Sequence, residues 1–380
     1  MMNNRQKITS QRNSNLEILR IICMILIVAH HYVVHGGFIF GYDVTVNRIF
    51  LEFLSFGGKL GVNCYVLITG YFLSGIKGRR WKSTLKLWIQ ATLYSVLIYM
   101  IALITGAAGY NMRILIIYLF PILYEVWWFV SVYFVLILIA PVINLFINSV
   151  TREQFKKSLV LMIVVAYVIP TLSFFGVPTN MQMNNTILFI VLYLIAAYIR
   201  KYGIKKNIKW SELFWTTILI QNIYICVMDL LGIGWDYFAQ RAMLLTYDMH
   251  SFLLLVMSIA LFCCFANKKE FYNPYINKIA ATTFGVYLIH DNPFVRNYLW
   301  QKLLHQSTLQ ESRWLILHAF VSVIVVYFIC SFFSWLYNVT LGKLMMILLN
   351  RNSVHIENVM KDIKLFTNKL CDKLSHCFIK

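Results

Sequence analysis

The stretch that decides the fold lies at residues 15–37 and reads NLEILRIICMILIVAHHYVVHGG. It is long and apolar enough to cross a membrane as a helix. Within it stand five ionisable residues, Glu17, Arg20, His30, His31 and His35. Because an ionisable side chain at the centre of a spanning helix costs about 2.5–3.5 kcal/mol on insertion scales, several in one segment indicate a functional site.

Helical geometry separates these residues into two groups. Arg20 and His31 are eleven positions apart, which places them within about 20° of each other around a helix and roughly 16 Å apart along it. Glu17 and His35 fall within about 60° of the same line, whereas His30 points elsewhere. We therefore predict a polar stripe on an apolar helix that faces the interior of a helical bundle.

Two interpretations of this stripe remain open on spacing alone. In the structural one, Arg20 extends to the cytoplasmic boundary of the membrane and His31 forms a hydrogen bond between helices. In the functional one, His31 acts as a general base, because an imidazole titrates near the pH at which a cell operates.

The composition is typical of a membrane protein. Of the 380 residues, 60% are hydrophobic and 13% are charged. Lipid offers the backbone no hydrogen bonds, so the spans must be helices or a closed barrel, and long continuous apolar runs indicate helices. We predict an all-α polytopic protein with about ten transmembrane helices. Their approximate bounds are 15–36, 48–75, 84–106, 125–148, 158–176, 186–200, 211–231, 249–266, 280–299 and 314–338.

Basic residues predict the orientation of these spans. Lysine and arginine are concentrated in alternate connections, with 19 on the side of the N-terminus and 6 on the other side. By the positive-inside rule, both the N-terminus and the C-terminus are predicted to lie in the cytoplasm. The same clustering explains the net charge of +19 without a nucleic-acid partner.

No internal repeat or flexible linker divides the chain. We expect one membrane domain over residues 1–349 and a basic cytoplasmic tail at 350–380, whose spaced apolar residues are consistent with an amphipathic helix. The eight cysteines lie mostly within apolar runs and lack the paired spacing of metal ligands. They predict neither a disulfide framework nor a zinc site, and no metal is expected.

A predicted cytoplasmic loop at residues 77–86 reads KGRRWKSTLK. One interpretation is an orientation signal for the neighbouring spans. The other is a site for the phosphates of an acyl or nucleotide donor, because arginine binds phosphate through its planar fork. Its candidate ligands are Arg79, Arg80, Lys82 and Lys86.

Two further segments contain chemistry-bearing side chains. The segment TTFGVYLIHDNP, in the ninth predicted span, places Thr283, Tyr287, His290 and Asp291 within the membrane. These residues fit a structural hydrogen-bond cluster as well as a catalytic one. At the outer end of the fourth predicted span, Trp127 and Trp128 fit an aromatic belt or a platform for a sugar.

Taken together and in this order, these segments resemble the integral-membrane acyltransferase 3 family, bacterial proteins that O-acylate surface glycans with acyl-CoA. That family opens with an acidic residue, two residues, an arginine, ten residues and a histidine, a pattern that Glu17, Arg20 and His31 fit. The run GVNCYVLITGYFLSG resembles its G-V-x-x-F-x-x-x-S-G-Y-F segment, WFVSVYFVLILIAP its W-F…P segment, and TFGVYLIH its S-Y-x-x-Y-L-x-H segment. Glu17 replaces the commoner aspartate, Thr283 replaces serine and Phe284 replaces tyrosine.

The resemblance implies a role for each candidate residue. His31 would act as general base on an acceptor hydroxyl or relay the acyl group, with Glu17 and Arg20 orienting the donor or the first helix. Supporting or second-base roles are expected for His290, Tyr287 and Thr283. The phosphates of acetyl-CoA would be contacted by Arg79, Arg80, Lys82 and Lys86. The acceptor would be contacted by His35, Trp127 and Trp128. The acceptor would be a capsular, exopolysaccharide or other cell-envelope glycan, and the location would be the bacterial plasma membrane.

A second class of function fits the composition equally well. A transporter, flippase or polymerase-like carrier of a lipid-linked glycan would also place buried histidine and arginine among ten spans. The spacing of Arg20 and His31, together with the loop that contains Arg79 and Arg80, favours the acyltransferase.

Overall fold

The computed structural model describes residues 12–41, 43–75, 81–175 and 183–352, and every regular element within these ranges is helical. The α-helices in chain order are α1 (Ser14–Val34), α2 (Val46–Ser55), α3 (Gly57–Leu73), α4 (Trp81–Ile104), α5 (Met112–Leu119), α6 (Trp128–Ser149), α7 (Arg152–Ile163), α8 (Ile169–Leu172), α9 (Asn185–Tyr202), α10 (Trp210–Leu231), α11 (Asp236–Ala239), α12 (Leu244–Tyr247), α13 (Phe252–Ala266), α14 (Pro274–Ala280), α15 (Thr283–His290), α16 (Pro293–Asn297), α17 (Leu315–Val339) and α18 (Leu341–Arg351). Two π-helical turns, Val164–Val168 and Tyr298–Leu303, and two 3₁₀ turns, Ser173–Phe175 and Gln306–Leu309, complete them. The predicted all-α class is confirmed.

Among the described residues, 8 helical segments are long and apolar enough to cross a membrane. They are Ser14–Val34, Val46–Leu73, Trp81–Ile104, Trp128–Ser149, Arg152–Phe175, Asn185–Tyr202, Trp210–Leu231 and Leu315–Arg351. Helix α13 is also apolar but shorter. The chain is a polytopic membrane protein, as predicted, and these nine segments coincide with nine of the ten predicted spans.

The ninth predicted span, 280–299, is not one continuous helix. It consists of α15, α16 and the π-helical turn that follows them. The break lies at Asn292, because a residue before proline is disfavoured in the helical conformation and Pro293 follows it. The side chain of Asn292 then caps α16 by accepting a hydrogen bond from the backbone N–H of Phe294. The helix therefore stops at His290, inside the bundle rather than at its surface.

Helix α1 occupies the centre of the bundle, where it contacts α2, α3, α13, α14, α15 and α17. The spanning windows of α1 and of Val46–Leu73 are 61% and 78% buried, against 28% for Arg152–Phe175 and for α10. The polar stripe of α1 therefore faces protein, whereas the peripheral helices present apolar side chains outward to lipid.

Glycine permits the close approach of α1 and α3. A Cβ atom at Gly57 would lie 2.7 Å from the backbone oxygen of Leu26, and one at Gly61 would lie 2.7 Å from that of Cys23. Small residues at such contacts are a common feature of helix packing in membranes. The contact fixes the position of α3 against the face of α1 that contains Cys23, Leu26 and His30.

Candidate active site

The centre of the candidate site is a contact between α1 and α15. Nδ1 of His31 lies 2.9 Å from Nε2 of His290, although the two residues are 259 positions apart in sequence. Nδ1 of His290 in turn lies 2.6 Å from the carbonyl oxygen of Val286. Both histidines are buried, with 8% of His31 and 0% of His290 exposed.

The carbonyl of Val286 determines which nitrogens of His290 and His31 bear a proton. A carbonyl oxygen only accepts, so Nδ1 of His290 bears a hydrogen and donates it to Val286. In a neutral imidazole the other nitrogen is then an acceptor, and Nε2 of His290 accepts the N–H of His31 Nδ1. Nε2 of His31 is left without a proton, which is the state that a general base requires.

A buried carboxylate lies beside the two histidines. Oδ1 of Asp291 is 3.8 Å from Nδ1 of His31, 3.5 Å from Nε2 of His35 and 3.4 Å from Nη1 of Arg296. A carboxylate in this position would stabilise an imidazolium at His31. The sequence analysis noted Asp291 within the ninth predicted span but gave it no role, although a carboxylate inside a predicted span is a signal of function.

The same cluster includes a set of metal-ligand types. Ligand atoms of His31, His35 and Asp291 lie within 4.8 Å of one another, and two imidazoles with a carboxylate suit a divalent transition metal. Two contacts compete with such an ion: Arg296 contacts the same oxygen of Asp291, and Nδ1 of His31 is hydrogen-bonded to His290. We therefore interpret the cluster as a proton-transfer site, and the expectation that no metal is used stays a prediction.

A cavity of about 30 Å³ lies beside His31 and is lined in part by Lys59, Trp128 and Tyr287. Nζ of Lys59 lies 4.7 Å from the ring centroid of Trp128 and 5.4 Å from that of Tyr247, so both rings stabilise the ammonium group. Lys59 was not predicted. A lysine within the apolar second span is the signal that would have identified it.

The predicted pair Glu17 and Arg20 lies at the opposite end of α1. Nη1 of Arg20 donates to Oε1 of Glu17 at 2.6 Å, and the Glu17 side chain is only 4% exposed. The backbone oxygen of Arg20 accepts a hydrogen bond from the hydroxyl of Tyr65 at 2.9 Å. The structure therefore places this pair where α1 joins α3, three helical turns from His31, and does not bring it to the histidines.

Three other residues have local partners or a buried position. Thr283 donates to the carbonyl of Ala280 at 2.8 Å, and Nδ1 of His30 donates to the carbonyl of Ser55 at 2.5 Å. Trp127 is 1% exposed and packs in the core. Its neighbour Trp128 lines the His31 cavity, whereas Trp127 does not. Among the predicted residues, the structure thus gathers His31, His35, His290, Tyr287 and Trp128.

Two of the four predicted phosphate ligands belong to the described residues. Arg79 and Arg80 lie outside the described residues. Lys82 and Lys86 belong to α4, and Lys86 has Arg12 as an electrostatic neighbour. Lys86 therefore lies at the end of the bundle where α1 begins, which the loop charges predict to be cytoplasmic.

Comparison with known proteins identifies one family for this chain. A family model described as an acyltransferase domain matches residues 13–336, which is most of the chain. No curated protein and no solved structure shows a significant match. The matched region includes α1, α3 and α15 and thus the contact between His31 and His290. The family match favours an acyltransferase over a carrier of lipid-linked glycans. The chain therefore belongs to the acyltransferase 3 family, as the motifs predicted, and is a membrane acyltransferase.

Proposed function

We propose that this enzyme transfers an acetyl group from acetyl-CoA to a hydroxyl of a cell-envelope glycan, such as a capsular polysaccharide or an exopolysaccharide, at the bacterial plasma membrane. The observation that supports this proposal is the hydrogen-bonded series from Val286 through His290 to His31. It leaves Nε2 of His31 free to accept a proton. A sugar hydroxyl needs such a base, because it does not ionise by itself near neutral pH.

In the proposed reaction, His31 takes the proton of the acceptor hydroxyl while the hydroxyl oxygen attacks the thioester carbonyl. A C–O bond forms, the C–S bond then breaks, and the sulfur of CoA leaves as a thiol after it receives the proton back from His31. Asp291 stabilises the imidazolium between the two proton transfers. Lys59, in the same cavity, provides a positive charge for the oxyanion that forms on the carbonyl oxygen.

The donor approaches from the end of the bundle where α1 begins. Phosphates of CoA would be bound there by the basic residues Arg79, Arg80, Lys82 and Lys86. The level of Arg20 is roughly 16 Å from that of His31 along α1, so the pantetheine arm must extend into the bundle. Glu17 and Arg20 would line the start of that path.

The direct test is an acetyl-transfer assay. Membranes that contain the protein are incubated with radiolabelled acetyl-CoA and with polysaccharide from the same strain that has been de-O-acetylated in mild alkali. We expect label in the polysaccharide, with none from membranes that lack the protein. Proton NMR of the glycan from cells with and without the gene identifies the hydroxyl that is modified.

Binding of acetyl-CoA separates this activity from that of a glycan carrier. We expect acetyl-CoA to raise the melting temperature of the detergent-purified protein, because a ligand present at about 100 times its Kd stabilises the native state by about 2.7 kcal/mol. Free acetate at the same concentration serves as the control and should leave the melting temperature unchanged. The absence of a shift at saturating acetyl-CoA would contradict a donor site.

Lys59→Met is expected to lower kcat by about a hundredfold, the loss typical of removing one group that stabilises an oxyanion. The KM for acetyl-CoA should change little, because the basic residues at the start of α4 bind the phosphates. Methionine fills the volume of the lysine without a buried charge, so the protein should remain folded. Lys59→Arg keeps the positive charge and should retain more activity than Lys59→Met, and equal rates for the two variants would contradict the proposed role.

A further inference from the structure

The candidate active site lies close to one end of the bundle. His31 is three residues before the end of α1, which corresponds to about 4.5 Å along the helix axis. Lys59 is the third residue of α3, and Trp128 is the first residue of α6. The loop charges predict these helix ends to be the outer ones. The cavity beside His31 is therefore close to the outer surface of the protein.

The side chain of Tyr247 reaches from this cavity to the surface. The centroid of its ring lies 5.6 Å from that of His30 and 5.4 Å from Nζ of Lys59, and both of these residues line the cavity. Nevertheless, 46% of Tyr247 is exposed. A single aromatic side chain therefore packs against the lining of the cavity and is also part of the outer surface.

The cavity is too small for the proposed reaction as it stands. Its volume of about 30 Å³ corresponds to room for about two water molecules. In the proposed reaction a thioester and a sugar hydroxyl must meet beside Nε2 of His31, and together they need more space. Part of the wall of the cavity must therefore move when both are bound.

Most of that wall consists of closely packed helices. A Cβ atom at Gly58 would collide with the ring of His30, so α3 and α1 are in direct contact here. Helix α2 is held against α1 by the hydrogen bond from His30 to the carbonyl of Ser55. It is also held against α10, because Nη2 of Arg48 lies 2.6 Å from Oδ1 of Asp229. Displacing any of these helices would break contacts that hold the bundle together.

Tyr247 has more freedom, because it is the last residue of α12, a helix of only 4 residues. The turn that follows is anchored: the carboxylate of Asp248 accepts hydrogen bonds from the backbone N–H and from Nδ1 of His250, at 2.8 and 2.7 Å. Nε2 of His250 lies 2.9 Å from both the backbone nitrogen and the backbone oxygen of Met183. The backbone thus holds the ring beside the cavity, and rotation of the exposed side chain is the movement that disturbs the fewest contacts.

We propose that Tyr247 determines the specificity of the reaction: it covers the outer side of the His31 cavity, excludes water from the acyl donor, and rotates aside for the acceptor sugar. Water is the competing acceptor. With His31 as its base, a water oxygen can form a C–O bond to the thioester carbonyl, and cleavage of the C–S bond then gives acetate and the thiol of CoA. Exclusion of water from a closed site is a common way to prevent such hydrolysis. The inference rests on the proposed function, since the group it protects is the thioester of that reaction.

Hydrolysis of acetyl-CoA by the intact protein in membranes tests this inference. With radiolabelled acetyl-CoA, the release of labelled acetate and the transfer of label to the de-O-acetylated polysaccharide are measured in parallel. We expect Tyr247→Ala to raise the ratio of hydrolysis to transfer about tenfold, because water then has access to the thioester. Tyr247→Phe keeps the ring and should keep this ratio low. Adding His31→Ala to Tyr247→Ala should remove the extra hydrolysis, because the attacking water then lacks its base.

The matched control is Tyr237→Ala. Tyr237 is 47% exposed in the same outer segment, but its ring packs against Arg241 and Phe238. This variant should leave the ratio unchanged, and a rise equal to that of Tyr247→Ala would contradict a specific cover.

A rise in melting temperature with acetyl-CoA shows that Tyr247→Ala is folded and binds the donor. If it does not fold, Tyr247→Leu, which loses less volume, is measured in its place. An unchanged ratio in the folded variant, with normal transfer by the unmodified protein, would overturn the inference alone. No transfer by the unmodified protein would instead overturn the proposed function.

Discussion

His31→Ala is expected to abolish measurable acetylation of the glycan, with a loss of transfer rate of about 10²–10⁴-fold, the contribution typical of a general base. The reason is specific to its geometry, because Nε2 of His31 is the nitrogen that the hydrogen bonds to His290 leave unprotonated. The measurements are the acetyl content of purified polysaccharide by NMR and the rate of label transfer in membranes.

The neighbouring histidine provides the matched control for this variant. His30 donates its hydrogen bond to the carbonyl of Ser55 in α2 and lines the same cavity as His31. His30→Ala therefore removes a contact between helices and widens the cavity, but it leaves the base in place. We expect His30→Ala to insert in the membrane and to retain much more activity than His31→Ala. Normal acetyl content in cells with the His31→Ala protein would refute the assignment of the base.

The second large effect is expected for His290→Ala, with a loss of transfer rate of about a hundredfold. Without the acceptor nitrogen of His290, the proton of His31 is no longer held at Nδ1, and the imidazole can adopt the tautomer in which Nε2 is blocked. His290→Gln offers an amide oxygen as a replacement acceptor and should recover part of the activity. Comparing these two variants distinguishes the effect of losing the hydrogen bond from the effect of losing the volume of the ring.

A double-mutant cycle tests whether the two histidines act as one unit. If His290 acts only through His31, adding His290→Ala to His31→Ala should cost little further activity, because coupled catalytic residues are strongly non-additive. Independent losses that multiply would show that His290 has a separate role in catalysis and would contradict the proposed series.

The sequence predicted most of the fold because long apolar runs report directly on helices in lipid. The predicted spans 15–36, 211–231 and 314–338 agree with α1, α10 and α17 to within a few residues at their starts. The span at 280–299 was wrong because hydropathy does not register the restriction that a proline places on the residue before it. The residues at the break, His290, Asp291 and Asn292, are polar, but the apolar residues on either side kept the whole segment hydrophobic enough to be read as one span.

The site was predictable only in part. Helical phase distinguished His31 from His30, and the family motif selected His290, but periodicity gives no information on a contact between residues 259 positions apart. Arg48 was counted only as a loop charge, and nothing in its neighbourhood pointed to Asp229, which joins it from another helix. Tertiary packing alone brings such charges together.

The early end of α15 has an electrostatic consequence for the transferred proton. The carbonyl dipoles of a helix sum to a partial negative charge at its C-terminus, which favours a cation there by about 0.3–1 kcal/mol at exposed sites and up to about 2 kcal/mol in partly buried geometries. His290 is the last residue of α15, and Asp291 is its C-cap. In the proposed reaction, the positive charge on His31 would therefore develop against the negative end of a helix dipole. A helix that continued through position 293 would have carried that dipole end away from the reacting groups.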